Sequence, residues 1–415
     1  MFQHLPHRHS EVWATPIRRR TVLLSGAALP LTLLAAKAAP AGAVLRSTPS
    51  PRLTLPTPTG HRCTGTASLH LVDPSRPDPW VPSQRVRELM IQLWYPAEAV
   101  DDYLHAPYMT PLTARAYEKL NGLPILGWPV TSTHLGAPVR QRGRGWPVVL
   151  YSPGLGDERF TTTSLVEELA SHGYAVVTID HVHDAGTVEL PDGRIETSAV
   201  PPFTDDNDEA LSSKVIESRV ADVRFVLDQL AAINSGKNPD HEHRPLPDGL
   251  RGALDLHHVG MFGHSLGGST TAHALHVDAR IAAGVNLDGT LYTPQAVAGS
   301  DGPLMLFGKQ DLDPSEAASW SKFWKYQHGS KLWLNLTGSK HPTFTDFAAL
   351  VPQVAPILGR PQSWVIEGIG TIDGQRALAV ERAYLTAYFD THLLHHHSDL
   401  LNGPSPAYPE VIFAR

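Results

Sequence analysis

From about residue 146 onward the chain alternates between two patterns of apolar positions. Short unbroken runs come first: Pro147-Val-Val-Leu-Tyr151, Tyr174-Ala-Val-Val-Thr-Ile-Asp180, Val259–Phe262, Ile281–Asn286, Pro303–Phe307 and Leu332–Leu336. Runs of four to seven residues rich in β-branched side chains have the length of buried strands. Between them apolar residues recur every three or four positions, the spacing of a helix with one buried face. This predicts helices at Thr163–His172, at about 209–233, through Ala272–Leu275 and at about Ala377–Leu394. In the second of these, Ile216, Val220, Val223, Leu227 and Leu230 share a face. Strands without polar alternation, interleaved with helices, require a mostly parallel sheet covered on both faces. The expected class is therefore α/β.

The pattern weakens toward the N-terminus. Arg87–Tyr95 reads as an early strand stopped by Pro96. Residues 100–145 combine poor periodicity with many Pro and Gly and are expected to form an insertion or lid. Residues 42–84 read as a lead-in whose Pro-, Ser- and Thr-rich stretch, 44–60, is expected to be flexible, and 85–415 as a single domain.

Residues 1–41 have the order of a secretory signal. A basic stretch, Thr15-Pro-Ile-Arg-Arg-Arg20, precedes the uncharged apolar run Val22–Ala36, and small residues with A-x-A spacing follow around Ala36–Ala43. Arg19-Arg20-Thr21-Val22-Leu23 resembles the twin-arginine motif, which implies the bacterial twin-arginine export machinery as partner and a secreted, extracellular or periplasmic protein. The apolar run, interrupted by Pro30, is short for a membrane span of roughly 20 residues.

Composition narrows the function classes. The full chain has 415 residues, 42% of them apolar and 18% charged, with a net charge of −7. No basic block is present, so nucleic acid is not expected as a partner. The single cysteine, Cys63, forbids an intramolecular disulfide, and the core must supply the stability.

Gly263-His-Ser-Leu-Gly267 falls between a buried strand and a helix, which is the context a nucleophile elbow requires. Glycines two residues either side of Ser265 keep side chains out of a tight bend, and the helix that follows turns its free N–H groups toward the serine. An α/β-hydrolase fold is the expectation. A serine hydroxyl needs a base, and His341 follows the last predicted strand, as the order serine, acid, histidine demands. Two carboxylates compete for the acid. Asp288 ends the Ile281–Asn286 strand, Asp311 follows the next one, and the residues alone leave them level. An oxyanion hole would take the N–H of Leu266 and one from Ser152-Pro-Gly-Leu-Gly156, for which Leu155 is the choice.

Four pieces in order resemble the platelet-activating factor acetylhydrolase family of secreted and intracellular serine phospholipases A2, which has bacterial members. They are Ser152–Gly156, Ser171–Asp184, Gly263–Gly268, and His341 with Phe344, Asp346 and Phe347, and the resemblance covers about residues 85–395. It implies Asp288 as the acid, His341 as the base, and Leu155 and Leu266 as the oxyanion donors. Pro153 departs from the pattern, since the animal members have a histidine there.

The expected activity is a carboxylic ester hydrolase that works through an acyl-enzyme, without metal or organic cofactor. Its substrates would be short-chain or oxidised phospholipid esters or other small esters, with transient contact to a lipid surface. A cutinase-like polyester hydrolase, a general lipase, and a non-catalytic binding module on a hydrolase fold are the alternatives. Tyr108, Met109, Leu123, Leu126 and Trp128, flanking the expected lid, suit either kind of lipid substrate. Three histidine groups lack the three or four converging ligands of a zinc site. His181-Val-His-Asp184 is read as pocket lining, His392, His395 and His396 as a solvated helix end, and His241-Glu-His243 as a polar loop.

Overall fold

In a computed structural model, residues 52–204 and 207–414 are described, so the leader expected at residues 1–41 lies outside them. Among the described residues thirteen strands form: β1 Thr64–Asp73, β2 Arg87–Pro96, β3 His105–Pro107, β4 Val130–Leu135, β5 Trp146–Ser152, β6 Ala175–His181, β7 Val188–Glu189, β8 Ile195–Glu196, β9 Leu254–His264, β10 Ile281–Leu287, β11 Leu304–Lys309, β12 Lys331–Leu336 and β13 Val411–Phe413. The helices are α1 Pro111–Leu120, α2 Thr163–His172, α3 Asp208–Asn234, α4 Leu266–Val277, α5 Pro294–Val297, α6 Pro314–Tyr326, α7 Phe347–Ile357, α8 Gln362–Ile369 and α9 Gly374–Leu393.

Eleven strands make one sheet in the order β13-β12-β11-β10-β9-β5-β6-β2-β1-β4-β3, while β7 and β8 pair separately. From β6 to β12 every neighbouring pair is parallel. β2 joins β6 antiparallel, and β13 closes the far edge antiparallel to β12. Strand side chains alternate between the faces. On β5, Val148 and Leu150 enter the core beneath α3 and α4, whereas Val149 and Tyr151 enter the one beneath α2 and α9. Each run predicted from 146 onward coincides with a strand, Tyr174 and Pro303 alone falling one residue before theirs, because burial on both faces makes the whole run apolar.

The N-terminal part departs from expectation. Residues 64–73, read as lead-in, form β1 and pair with β2 along their full length. Three of its inward positions are polar (Thr64, Thr66 and His70), which hides the strand from a hydrophobic pattern; each finds a hydrogen-bond partner. Residues of the stretch expected to be flexible are also tied down. Leu53 N–H donates to the Gly127 carbonyl, and the Arg382 guanidinium donates to the carbonyls of Pro56 and Thr57. Within 100–145, β4 and β3 extend the sheet past β1, and α1 lies between them in the chain. Leu104, Leu112, Leu120, Ile125, Val130 and Leu135 of this segment stand exposed.

Candidate active site

The parallel strands deliver their C-terminal ends to one edge of the sheet, where open α/β folds collect functional groups. β9 ends at His264, Ser265 turns the chain, and α4 begins at Leu266. Ser265 has φ 54° and ψ −123°, a conformation that costs a side-chain-bearing residue about 1–3 kcal/mol. The surroundings enforce it. Ser265 N–H donates to the Leu287 carbonyl at 2.8 Å, and its carbonyl accepts from Gly268 N–H at 2.9 Å. A Cβ on Gly263 would strike the Gly267 backbone, and one on Gly267 would strike the carbonyls of Ser152 and Pro153. Only glycine fits at these two positions. Among the described residues the Ser265 hydroxyl hydrogen-bonds to none. In unliganded enzymes the bond from nucleophile to base is often long and tightens with substrate.

Asp288 lies directly after β10, beside the elbow, with its N–H donating to the Phe307 carbonyl. Its carboxylate is fully buried. One oxygen accepts the Lys309 backbone N–H at 2.7 Å, and the other accepts His341 Nδ1–H at 2.6 Å. Burial pushes the acid up, but the Lys309 ammonium at 3.5 Å, the His341 bond and the Lys309 N–H outweigh it and hold Asp288 down to about 2. Asp288 is therefore ionised at any working pH. Asp311, its rival from the sequence, is exposed and has no hydrogen-bond or ion-pair partner among the described residues. Of the two, only Asp288 meets His341.

His341 opens a 3₁₀ turn, His341–Phe344, after β12. With Nδ1 engaged by Asp288, Nε2 is left to accept a proton, and 16% of the side chain is exposed. His264, the residue before the serine, lies against the His341 ring, tilted by 38° with 4.5 Å between centroids. Its Nε2–H donates to the His341 carbonyl at 3.1 Å, which ties the histidine loop to the elbow. Leu266 N–H, at the start of α4, lies beyond the last acceptor of its own helix. Leu155 N–H donates to no acceptor among the described residues, and its loop rests on Gly267.

Sequence reasoning missed the supporting charges. Lys309 pairs with Glu316 as well as Asp288, and burial plus the Asp288 charge push Glu316 up to about 8. Arg219 is buried within the apolar stripe of α3 and binds Asp184 and the loop ahead of Leu155. A cation and an acid, Arg219 and Asp222, inside a stripe otherwise read as core were the available signal. His181 is buried and donates to Asp222 through Nδ1, while its Nε2 accepts the Ser152 hydroxyl. His183 bridges Asp78 and Glu196. Among the described residues no group of three or more His, Cys, Asp or Glu is placed to hold a metal ion.

Comparison with known proteins places similar chains among esterases. The family described as platelet-activating factor acetylhydrolase, isoform II, matches residues 81–403. A probable 1-alkyl-2-acetylglycerophosphocholine esterase of Arthroderma benhamiae is 31% identical over 281 residues, 65% of this chain and 66% of that one. The platelet-activating factor acetylhydrolase of Cavia porcellus is 26% identical over 54% of each chain. The aligned chain thus spans less than two thirds of these relatives' own lengths. A solved structure, ferulic acid esterase from Streptomyces cinnamoneus, superposes with TM-score 0.73 at 36% identity, covering 88% of this chain and 99% of the other.

Proposed function

The chain belongs to the platelet-activating factor acetylhydrolase, isoform II, family, and from that premise we propose that it is a serine hydrolase of carboxylic esters acting through Ser265, His341 and Asp288. The observation that carries the reading is the 2.6 Å bond from His341 to a buried, ionised Asp288, set beside a serine at a strained strand-to-helix turn. Ser265 Oγ attacks the ester carbonyl carbon while its proton passes to His341 Nε2, and Asp288 keeps the imidazole in the right tautomer and balances its charge. The N–H groups of Leu155 and Leu266 hold the tetrahedral oxyanion. The carbon–oxygen bond to the alcohol then breaks, and His341 gives the departing alkoxide its proton. Water attacks the acyl-enzyme by the same route, losing a proton to His341, which returns it to Ser265 as the acid leaves.

The substrate reading is a carboxylic ester with either a short acyl group on a lipid-like alcohol or an aromatic acyl group on a small alcohol. Relatives named for a glycerophosphocholine ester support a short-acyl phospholipid. The closeness in length and identity to a ferulic acid esterase supports a second reading, hydroxycinnamate esters. p-Nitrophenyl esters of rising chain length, a short-acyl phosphatidylcholine and methyl ferulate, assayed side by side, separate the two. Fluorophosphonate labelling tests the chemistry: wild type should label and Ser265→Ala should not. Wild type that neither labels nor turns over any of these esters sinks the proposal.

Two further readings belong to this function. The exposed apolar residues between 104 and 135 support transient contact with a lipid surface. Leu104→Ser with Ile125→Ser should slow hydrolysis of vesicle-borne substrate and spare a dissolved one. The leader at 1–41 supports export through the twin-arginine route, for which Arg19→Lys with Arg20→Lys should leave the protein inside the cell.

A further inference from the structure

Arg219 and Asp184 take no part in the steps above, yet their hydrogen bonds end on the loop that supplies Leu155. Arg219 lies on α3 between Ile216 and Val220 and is 1% exposed. Its Nε donates to Asp184 Oδ2 at 2.7 Å and its Nη2 to Asp184 Oδ1 at 2.6 Å, a two-pronged pair that sets the plane of the guanidinium. The remaining donors go to backbone. Nη1 reaches the Pro153 carbonyl at 2.5 Å and Nη2 the Gly154 carbonyl at 2.9 Å.

The consequence follows from peptide geometry. The Gly154 carbonyl and the Leu155 N–H belong to one planar trans unit and point in opposite directions. Fixing the carbonyl against Arg219 therefore fixes the N–H away from the guanidinium, and that N–H has no acceptor among the described residues. The loop also rests on Gly267, in the first turn of α4, where Leu266 begins. We infer that Arg219, held by Asp184, is a positioning residue that orients the Leu155 N–H for the oxyanion formed on Ser265. The inference rests on the proposed ester hydrolysis. A lysine at this position has one ammonium and cannot grip a carboxylate and two carbonyls in one plane.

The test uses the purified chain as wild type, Arg219→Lys and Asp184→Asn, with Arg382→Lys as control. Arg382 is likewise buried and grips backbone carbonyls, those of Pro56, Thr57 and Ser164, none of them in this loop. Two quantities are read: kcat and KM on p-nitrophenyl acetate, and the inhibition constant of a trifluoromethyl ketone, which becomes a tetrahedral oxyanion on the serine. Loss of a whole oxyanion donor costs roughly 100- to 1,000-fold. Misaiming one should lower kcat about 10- to 100-fold with KM within about twofold, and weaken the ketone by a similar factor. Arg382→Lys should shift neither by more than about twofold. If Arg219→Lys fails to fold, Asp184→Asn decides the matter, since it keeps the side-chain shape and weakens the grip. An active wild type whose variants retain kcat and ketone affinity overturns the inference while leaving the hydrolase reading intact, and so does equal loss in Arg382→Lys. A wild type that neither turns over nor labels with fluorophosphonate overturns both.

Discussion

Asp288 and Asp346 are both fully buried, and both lie close to His341, one in space and the other five residues along the chain. Their surroundings move them in opposite directions, one toward the ionised form and the other toward the neutral one. Asp288 meets an ammonium, a backbone N–H and an imidazole N–H, which together overcome the cost of burial and keep it ionised. Asp346 caps the region between α2 and α7, where burial dominates. The Ser164 N–H and the Arg382 charge oppose it only in part, and the carboxyl is pushed up to about 7. Burial alone therefore does not make an acid fit for orienting a histidine. The charges and donors brought by neighbouring strands decide it.

The sharpest way to break this contrast is to neutralise each aspartate in turn. Asp288→Asn should lower kcat/KM on p-nitrophenyl acetate by about 10⁴, through the wrong imidazole tautomer. Asp346→Asn and Asp311→Asn should stay within about threefold of wild type. A collapse of turnover in Asp311→Asn, with Asp288→Asn active, would move the acid to the next strand.

A smaller effect should follow from removing what holds Asp288 down. In Lys309→Gln the ammonium that opposes protonation of the Asp288–His341 pair is lost, and the acid limb of the rate profile moves to higher pH. The loss should be on the order of tenfold near pH 5 and little at pH 8, because the limb shifts while the alkaline plateau stays. An unshifted acid limb would mean that Lys309 serves Glu316 and not the acid.

How much of this was legible in the sequence follows from the range of each interaction. Ser265 could be read because an elbow is a local device: strand, bend and helix adjoin in the chain, and the crowding of Gly263 and Gly267 leaves its mark within five residues. His341 could be read because it follows a strand recognisable by its apolar run. Asp288 and Asp311 were level because both end strands, and what separates them, the approach of Lys309 and His341, is set by folding. Arg219, Lys309 and Glu316 were hidden for the same reason, as was β1, whose polar inward residues are satisfied across the sheet by partners far along the chain. Family resemblance, not local pattern, chose Asp288, and it did so because the spacing of strand ends is inherited with the fold.

The two aspartates should also separate in stability, with opposite signs. The folded value of Asp346, about 7, lies above the ordinary 3.8, so between those values the folded chain keeps a proton that the unfolded chain has lost. The stability this confers is whole below about pH 4 and is lost as the pH rises toward 7, where the native state must carry a buried charge. Asparagine makes the neutral form permanent and can still accept the Ser164 N–H. Asp346→Asn should match wild type near pH 4.5 and melt higher, by about 2 °C or more, at pH 8.5. Asp288 runs the other way. Its folded value is depressed, so its contribution is present above 3.8 and lost only as the pH falls toward 2. Asp288→Asn therefore gives up that stability at pH 8.5 and should melt lower than wild type there. Thermal melts of both variants at the two pH values check the contrast. Displacement of both in the same direction at pH 8.5 would show that the Lys309 and His341 partners do not set the charge of Asp288 apart from that of Asp346.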